Sequence, residues 1–315
     1  MPELTLEHLP TDVRIVEVGP RDGLQNEKQP VSTDIKVELI ERLARTGLRT
    51  IEATAFVSPK WVPQMADSAD VLTRSLALPG TSHIQFPVLA PNLKGLEAAL
   101  SHGVREVAVF GAASESFSHK NINCSIDESL ARFEPVAKAA LQAGVRVRGY
   151  ISCVLGCPYE GEVSPQAVAK VARKLADMGC YEISLGDTIG MGTPLATQKM
   201  LQAVAAEIPI ESMAGHYHDT YSMALPNILA SLEMGVRVFD ASIGGLGGCP
   251  YAAGASGNVA TEDVVWMMHG MGIKTGINLE QLVDTSRWIN RQIGREPASK
   301  VSRALLARTE QSVSA

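Results

Sequence analysis

The sequence predicts an α/β protein, a (β/α)₈ TIM barrel with a C-terminal helical extension. Three observations predict it. Short apolar runs rich in β-branched residues alternate with longer helical stretches, eight times over about 270 residues, the size of such a barrel. Five helical stretches end in a glycine that leads straight into the next apolar run, at Thr46-Gly47-Leu48, His102-Gly103-Val104, Ala143-Gly144-Val145, Met178-Gly179-Cys180 and Met234-Gly235-Val236. Glycine there supplies the left-handed residue that closes a helix, so the refrain marks repeated αβ junctions. No G-x-G-x-x-G turn follows the first strand, which weakens the alternative of an open doubly wound sheet.

The strands are expected at residues 13–18, 48–53, 84–89, 104–110, 145–151, 181–185, 212–216 and 236–242. Each run is short and continuously apolar, as in parallel strands covered on both faces. Helices are expected between and after them, at 33–46, 64–75, 93–101, 127–143, 165–178, 194–207, 224–234 and 261–269. Ser32-Thr33-Asp34 and Ser164-Pro165 are helix-start signals. Two further helical stretches, 279–293 and 299–308, form the extension. No Pro/Ser-rich linker divides the chain, so the expectation is one catalytic domain, the barrel at 13–275 and the extension at 276–315.

Composition narrows the function classes. Of 315 residues 45% are hydrophobic and 20% charged, which excludes a disordered chain. A net charge of −6 argues against a nucleic-acid partner, which needs concentrated positive charge. No apolar run is long enough to span a bilayer. The N-terminal residues lack a basic leader, and the five scattered cysteines suit no disulfide framework, so a reduced, cytoplasmic protein is expected. Cys153 and Cys157 have no second pair to complete a zinc site. Cys153 and Cys180 read as packing residues, and Cys124 has no assignable role.

Barrel chemistry sits at the C-terminal ends of strands. Here those ends carry Arg21 and Asp22, Ser114 and Glu115, Ser184, Asp187 and Thr188, His216-Tyr217-His218-Asp219, and a glycine-rich stretch around Cys249 that leads to Asn258. His216 and His218 are two apart and share one face of an extended chain. With Asp22 and the Asn258 amide they make a mixed N/O set for a divalent metal, Mg²⁺ or Mn²⁺, with Zn²⁺ as the rival. Arg21 puts a fixed cation beside that set, where it can stabilise an oxyanion. Glu52 lies inside an apolar strand and needs a partner, for which Arg21 is a candidate; Glu17 poses the same problem. The stretch 244–257 reads as a lid carrying Cys249 or as a phosphate-cradling loop.

Several strings then resemble one family. Val16-Glu17-Val18-Gly19-Pro20-Arg21-Asp22-Gly23-Leu24-Gln25-Asn26-Glu27 is similar to the opening of the 3-hydroxy-3-methylglutaryl-CoA lyases. So are Phe56-Val57-Ser58-Pro59-Lys60-Trp61, Gly156-Cys157-Pro158-Tyr159-Glu160-Gly161, Ser184-Leu185-Gly186-Asp187-Thr188 and Gly245-Leu246-Gly247-Gly248-Cys249-Pro250-Tyr251. The resemblance implies a metal-dependent carbon–carbon lyase of leucine catabolism. It would cleave 3-hydroxy-3-methylglutaryl-CoA to acetyl-CoA and acetoacetate. It implies an acyl-CoA partner, a homodimer, and metal ligands Asp22, His216, His218 and Asn258. Arg21 would steady the enolate, Cys249 would act as an acid/base group, and Glu52, Asp187 and His216 would assist in proton transfer or orientation. The rivals are a lyase for a longer branched 3-hydroxyglutaryl-CoA and a condensing acyl-CoA synthase. The chain departs from the family at Ser222-Met223, where Gly-Gln is usual, and at Ile243-Gly244, where Val-Ala is more frequent. Pro226 falls within a first helical turn, where proline is tolerated.

Overall fold

The computed structural model describes residues 9–248 and 257–313. Among these, parallel strands run as β1 (Arg14–Glu17), β2 (Thr50–Ile51), β3 (Thr54–Ala55), β4 (Val88–Leu89), β5 (Glu106–Ala112), β6 (Arg146–Ser152), β7 (Glu182–Asp187), β8 (Met213–Tyr217) and β9 (Val238–Ala241). Their order is β2-β1-β9-β8-β7-β6-β5-β4-β3. β2 and β3 are halves of one stave. Glu52 N donates to Glu17 O on one side, while Ile51 N and Ala53 N donate to Gln85 O and Pro87 O on the other. The segment 50–55 therefore joins the two ends of the sheet, and the barrel closes. The strand expected at 48–53 is interrupted because Pro87 has no N–H to return to this stave.

Helices α1 (Thr33–Arg45), α2 (Ser68–Leu76), α3 (Leu93–Ser101), α4 (Glu115–Ile122), α5 (Ile126–Gln142), α6 (Pro165–Asp177), α7 (Pro194–Ala205), α8 (Ala224–Glu233) and α9 (Thr261–Gly270) accompany the strands. The extension holds α10 (Leu279–Gln292) and α11 (Lys300–Val313). All five junction glycines take positive φ, between 74° and 98°. Ser32 and Ser164 accept the N–H groups of Ile35 and Ala167, and Ser125 forms a reciprocal capping box with Glu128. Three local features differ from expectation. α2 begins four residues late, because Pro63–Met65 forms a separate 3₁₀ turn whose Gln64 side chain is held by Val31 N. α4 was not expected; Ser114 caps it and Asn123 in the left-handed region ends it. Gly19–Gly23 winds into a single π turn.

Strand alternation separates two environments. Outward residues such as Ile183 and Leu185 join the large core beneath the helices. Inside the barrel a small apolar group, Val16, Val18, Ala214 and Val238, shares the space with buried Arg148, Glu182 and Asp240. The extension is fastened to the barrel: Asn278 N donates to Thr46 O at 2.7 Å, and the Arg42 guanidinium lies 4.6 Å from the Trp288 ring centre.

Pro226 sits in the first turn of α8. Ser222 has φ 59°, a left-handed conformation that a Cβ disfavours. Ser222→Gly should therefore stabilise the fold by about 1 kcal/mol, read as a higher urea midpoint. An unchanged or lower midpoint would show that the serine is unstrained there.

Candidate active site and metal centre

The top of the barrel opens into a cavity of about 540 Å³ whose walls include Arg21, Asp22, Trp61, Phe110, Tyr150, His216 and His218. The π turn after β1 delivers Arg21 and Asp22 to it. His216 and His218 leave β8 on the inward face, their Nε2 atoms 3.4 Å apart. The short antiparallel pairing of His218 with Asn258 brings the latter alongside. Asn258 Nδ2 then reaches Asp22 Oδ2 at 2.7 Å and also donates to Leu246 O. One ligand atom each from Asp22, His216 and His218 falls within 4.8 Å of the others. Two ring nitrogens facing each other beside a carboxylate suit a shared divalent cation.

The electrostatics prepare these groups for it. Burial pushes the Asp22 carboxyl up, but Arg21, the imidazoles and the Asn258 amide outweigh it and hold it at about 2. Asp22 is thus ionised throughout the physiological range. Burial and repulsion from His216 lower His218 to about 4, so it stays neutral and free to ligate. His216 moves the other way. Burial opposes its charge, yet the bond to Asp240 and the charges of Asp240 and Asp22 raise it above its ordinary value. His216 Nδ1 meets Asp240 Oδ2 at 3.1 Å, which leaves Nε2 as the lone-pair face toward His218.

Beneath this cluster lies a network of buried charges. Arg148 donates to both oxygens of Asp240, at 2.7 and 3.1 Å, and to Glu182 at 2.7 Å. Ser184 donates to Asp240 at 2.7 Å, and Arg14 pairs with Glu182 from the far end of the barrel. Arg148 also donates to the Tyr150 hydroxyl at 2.8 Å, which lies 3.3 Å from Glu52 Oε2. Arg21 holds Glu52 at 2.8 Å through Nε and Asp22 at 2.7 Å through Nη1. The pairing of Glu52 with Arg21 expected from the sequence is present. Burial raises the Glu52 carboxyl, with Arg21 pulling against it, and Oε1 has no hydrogen-bond partner among the described residues.

The other expected residues fall apart from this cluster. Asp187 stands on the outward face at the end of β7, where its Oδ2 accepts the Gly192 N–H at 2.9 Å; Gly186 and Thr188 take the cavity wall. Burial, opposed by backbone N–H groups of residues 190–192, raises its carboxyl to about 6. Ser114 caps α4 and donates to Cys157 Sγ at 3.0 Å. Cys124, Cys153, Cys157 and Cys180 are buried. Cys249 lies outside the described residues. Sequence reasoning missed Arg148, Tyr150 and Asp240. Their signal was present: polar groups two apart within strands otherwise read as uniformly apolar.

Residues 12–289 match the family model described as HMGL-like. The chain belongs to the HMGL-like family. Among its relatives the mitochondrial hydroxymethylglutaryl-CoA lyase of Bos taurus is 60% identical, the alignment covering 94% of this chain and 90% of that one. The 3-hydroxy-3-isohexenylglutaryl-CoA/hydroxy-methylglutaryl-CoA lyase of Pseudomonas aeruginosa is 59% identical over 96% of this chain and 99% of its own. A crystal structure of hydroxymethylglutaryl-CoA lyase from Pseudomonas aeruginosa superposes with a TM-score of 0.93 at 58% identity, covering 96% of this chain and 99% of that one. An HMG-CoA lyase from Acinetobacter baumannii, solved with coenzyme A and 3-methylmalate, gives 0.88 at 36% identity over 95% and 96%. The TIM-barrel architecture expected from the strand–helix pattern is that of this HMGL-like family. No described helix is long and apolar enough to cross a membrane.

Proposed function

We propose that this chain is a hydroxymethylglutaryl-CoA lyase, cleaving (S)-3-hydroxy-3-methylglutaryl-CoA to acetyl-CoA and acetoacetate in leucine degradation. The observation that carries the reading is the cluster of Asp22, His216 and His218 with Arg21 against it, in a cavity of acyl size. Relatives about as similar as 60% over nearly the whole chain bear that name. The metal would be held by Asp22, His216, His218 and the Asn258 amide, with Mg²⁺ or Mn²⁺ favoured by the oxygen ligands. Such an ion would supply Lewis acidity to the substrate's tertiary hydroxyl and a fixed point for orienting it.

The chain's own groups do the rest. The hydroxyl loses its proton and its oxygen becomes the ketone of acetoacetate. The C2–C3 bond breaks and its electron pair passes into the thioester enolate, which takes a proton to become acetyl-CoA. Arg21, clamped by Glu52 and Asp22, is the fixed cation for that enolate oxygen. Glu52, with one buried oxygen unpartnered among the described residues and its carboxyl raised, is suited to hold a proton within the site. His216, oriented by Asp240, lines the same cavity as Arg21. Asp187 serves by holding the 190–192 turn rather than by touching substrate. Cys249 is proposed as the acid that completes acetyl-CoA. Cys249→Ala should then lower kcat far more than it changes KM; a change confined to KM would make it a binding residue.

A groove of about 390 Å³ adjoins the cavity through Asn26 and Gly248 and carries Lys28 and Arg295. It is proposed as the path of the coenzyme A arm. Cys124, Cys157 and Cys180, buried and outside any disulfide, suit a reducing compartment, and a cytoplasmic homodimer completes the reading.

The test is acetoacetate release from the substrate, before and after chelation. Release lost on chelation and restored by Mg²⁺ is expected; no release from metal-loaded protein would overturn the assignment. Metal binding should also depend on pH with a definite sign. Only neutral imidazole ligates, and Asp22, at about 2, stays ionised. Mn²⁺ affinity should therefore fall as pH drops through the raised His216 value, by about tenfold per pH unit below it. A flat affinity from pH 5 to 8 would remove His216 from the ligand set.

A further inference from the structure

Glu17 ends β1 and is fully buried on the outward face, away from the cavity. Its Oε1 accepts the N–H of Gly19 and of Ile243, each at 2.8 Å. Its Oε2 accepts the Thr261 hydroxyl at 2.6 Å. No salt bridge to Glu17 exists among the described residues. The three donors stand on three separate pieces of chain. Gly19 opens the π turn that carries Arg21 and Asp22, Ile243 follows β9, and Thr261 opens α9 three residues after Asn258. A Cβ at Gly19 would lie 2.6 Å from Glu17 Oε1, so this approach requires glycine. Glu262 anchors the neighbouring root, accepting Gly244 N at 2.9 Å and the Ser302 hydroxyl of the extension at 2.7 Å.

We propose that Glu17 is a positioning residue for the metal-ligand set: by holding Gly19, Ile243 and Thr261 on one carboxylate, it keeps Asp22 and Asn258 in register. This rests on the metal reading above. Asp22 and Asn258 are 236 residues apart in the chain, yet meet at 2.7 Å. β1 and β9, the strands that precede them, pair directly, with Glu17 opposite Ala241, but Asp22 and Asn258 both lie beyond that pairing, on the segments that follow the strand ends. Backbone pairings of Asn258 with His218 and of Ala260 with Ser242 fix one side of that contact, and the Glu17 carboxylate adds the side-chain tie that joins it to the turn carrying Asp22. A buried carboxylate is a costly residue for packing alone. Removing it would leave the Gly19 and Ile243 amides buried without an acceptor. Burial without a cation raises the Glu17 carboxyl to about 7, so its protonated form is accessible. Glutamine matches that form in shape and keeps an oxygen for both amides.

The test is Mn²⁺ titration of the full chain, with free ion followed by electron paramagnetic resonance and folding by circular dichroism. Glu17→Met should weaken Mn²⁺ binding at least about tenfold, the effect of losing a partner that orients metal ligands. Glu17→Gln should stay within about threefold of the parent, and Thr261→Val should fall between the two. Unchanged affinity in folded Glu17→Met overturns the proposal, as does equal loss in the Gln and Met variants. Should Glu17→Met fail to fold, unchanged affinity in Thr261→Val overturns it instead. A parent chain that binds no Mn²⁺ at all overturns the metal reading itself, and this inference with it.

Discussion

Asp22→Ala is expected to abolish lyase turnover at ordinary Mg²⁺ concentrations and to weaken Mn²⁺ binding by more than about 10²-fold. The argument is electrostatic. Asp22 is the anionic member of the cluster with His216 and His218, and Arg21, Asn258 and both imidazoles keep it ionised at about 2. Without it, two neutral imidazoles and an amide face a divalent ion beside the Arg21 guanidinium, which then keeps Glu52 as its carboxylate partner. Asp22→Asn separates charge from shape. It keeps an oxygen at the same place, so a loss as deep as in alanine assigns the effect to charge. Full activity with unchanged Mn²⁺ affinity in either variant would remove Asp22 from the ligand set.

Arg21→Met should lower kcat by about 10³-fold while KM changes little, because the charge it opposes exists only after the carbon–carbon bond breaks. A fixed, water-excluded guanidinium is worth most where its partner is transient. Arg21 is held in place by the Glu52 and Asp22 contacts and packs 5.5 Å from the Tyr150 ring centre. Arg21→Lys tests the geometry. Lysine keeps the charge but has no fork to engage both carboxylates at once, so most of the loss should persist. Recovery of near-parent kcat in Arg21→Lys would mean that charge alone suffices. A rise in KM with kcat unchanged would make Arg21 a ground-state binding residue. Removing Arg21 also strands Glu52, so Arg21→Met/Glu52→Gln is the necessary companion. If the double variant is no worse than the single, the two act as one unit.

Much of this site could be read from the residue order. The H-x-H spacing puts two imidazoles on one face of a strand, and Arg21-Asp22 follows the first strand of a barrel whose chemistry sits at strand ends. Those are local rules, set by the two-residue period of extended chain and by right-handed βα connection. Asp187 shows where such rules stop. It occupies a strand end as expected, but parity turns its carboxylate outward onto the Gly192 N–H. Arg148 and Asp240 show the converse. Each sits in a run that reads as apolar, and each points inward to a partner, Arg148 to Asp240 across 92 positions of sequence. The interruption of the second stave depended on Pro87, the residue just before the neighbouring strand β4.

Sequence alone determined the (β/α)₈ order, the left-handed glycines at the αβ junctions, the candidate ligands Asp22, His216, His218 and Asn258, and the need of Glu52 for a cation. Each follows from chain-local geometry, from the gathering of strand ends on one face of a barrel, or from the cost of burying a charge. Tertiary structure alone decided which nitrogen of His216 faces His218, which acids touch the cavity, and which buried carboxylate accepts hydrogen bonds from the segments after β1 and β9. The physical reason is that hydrogen bonds among buried charges join residues whose separation in sequence bears no relation to their distance in the fold. Their strength depends on orientation and desolvation, which exist only once the barrel has closed.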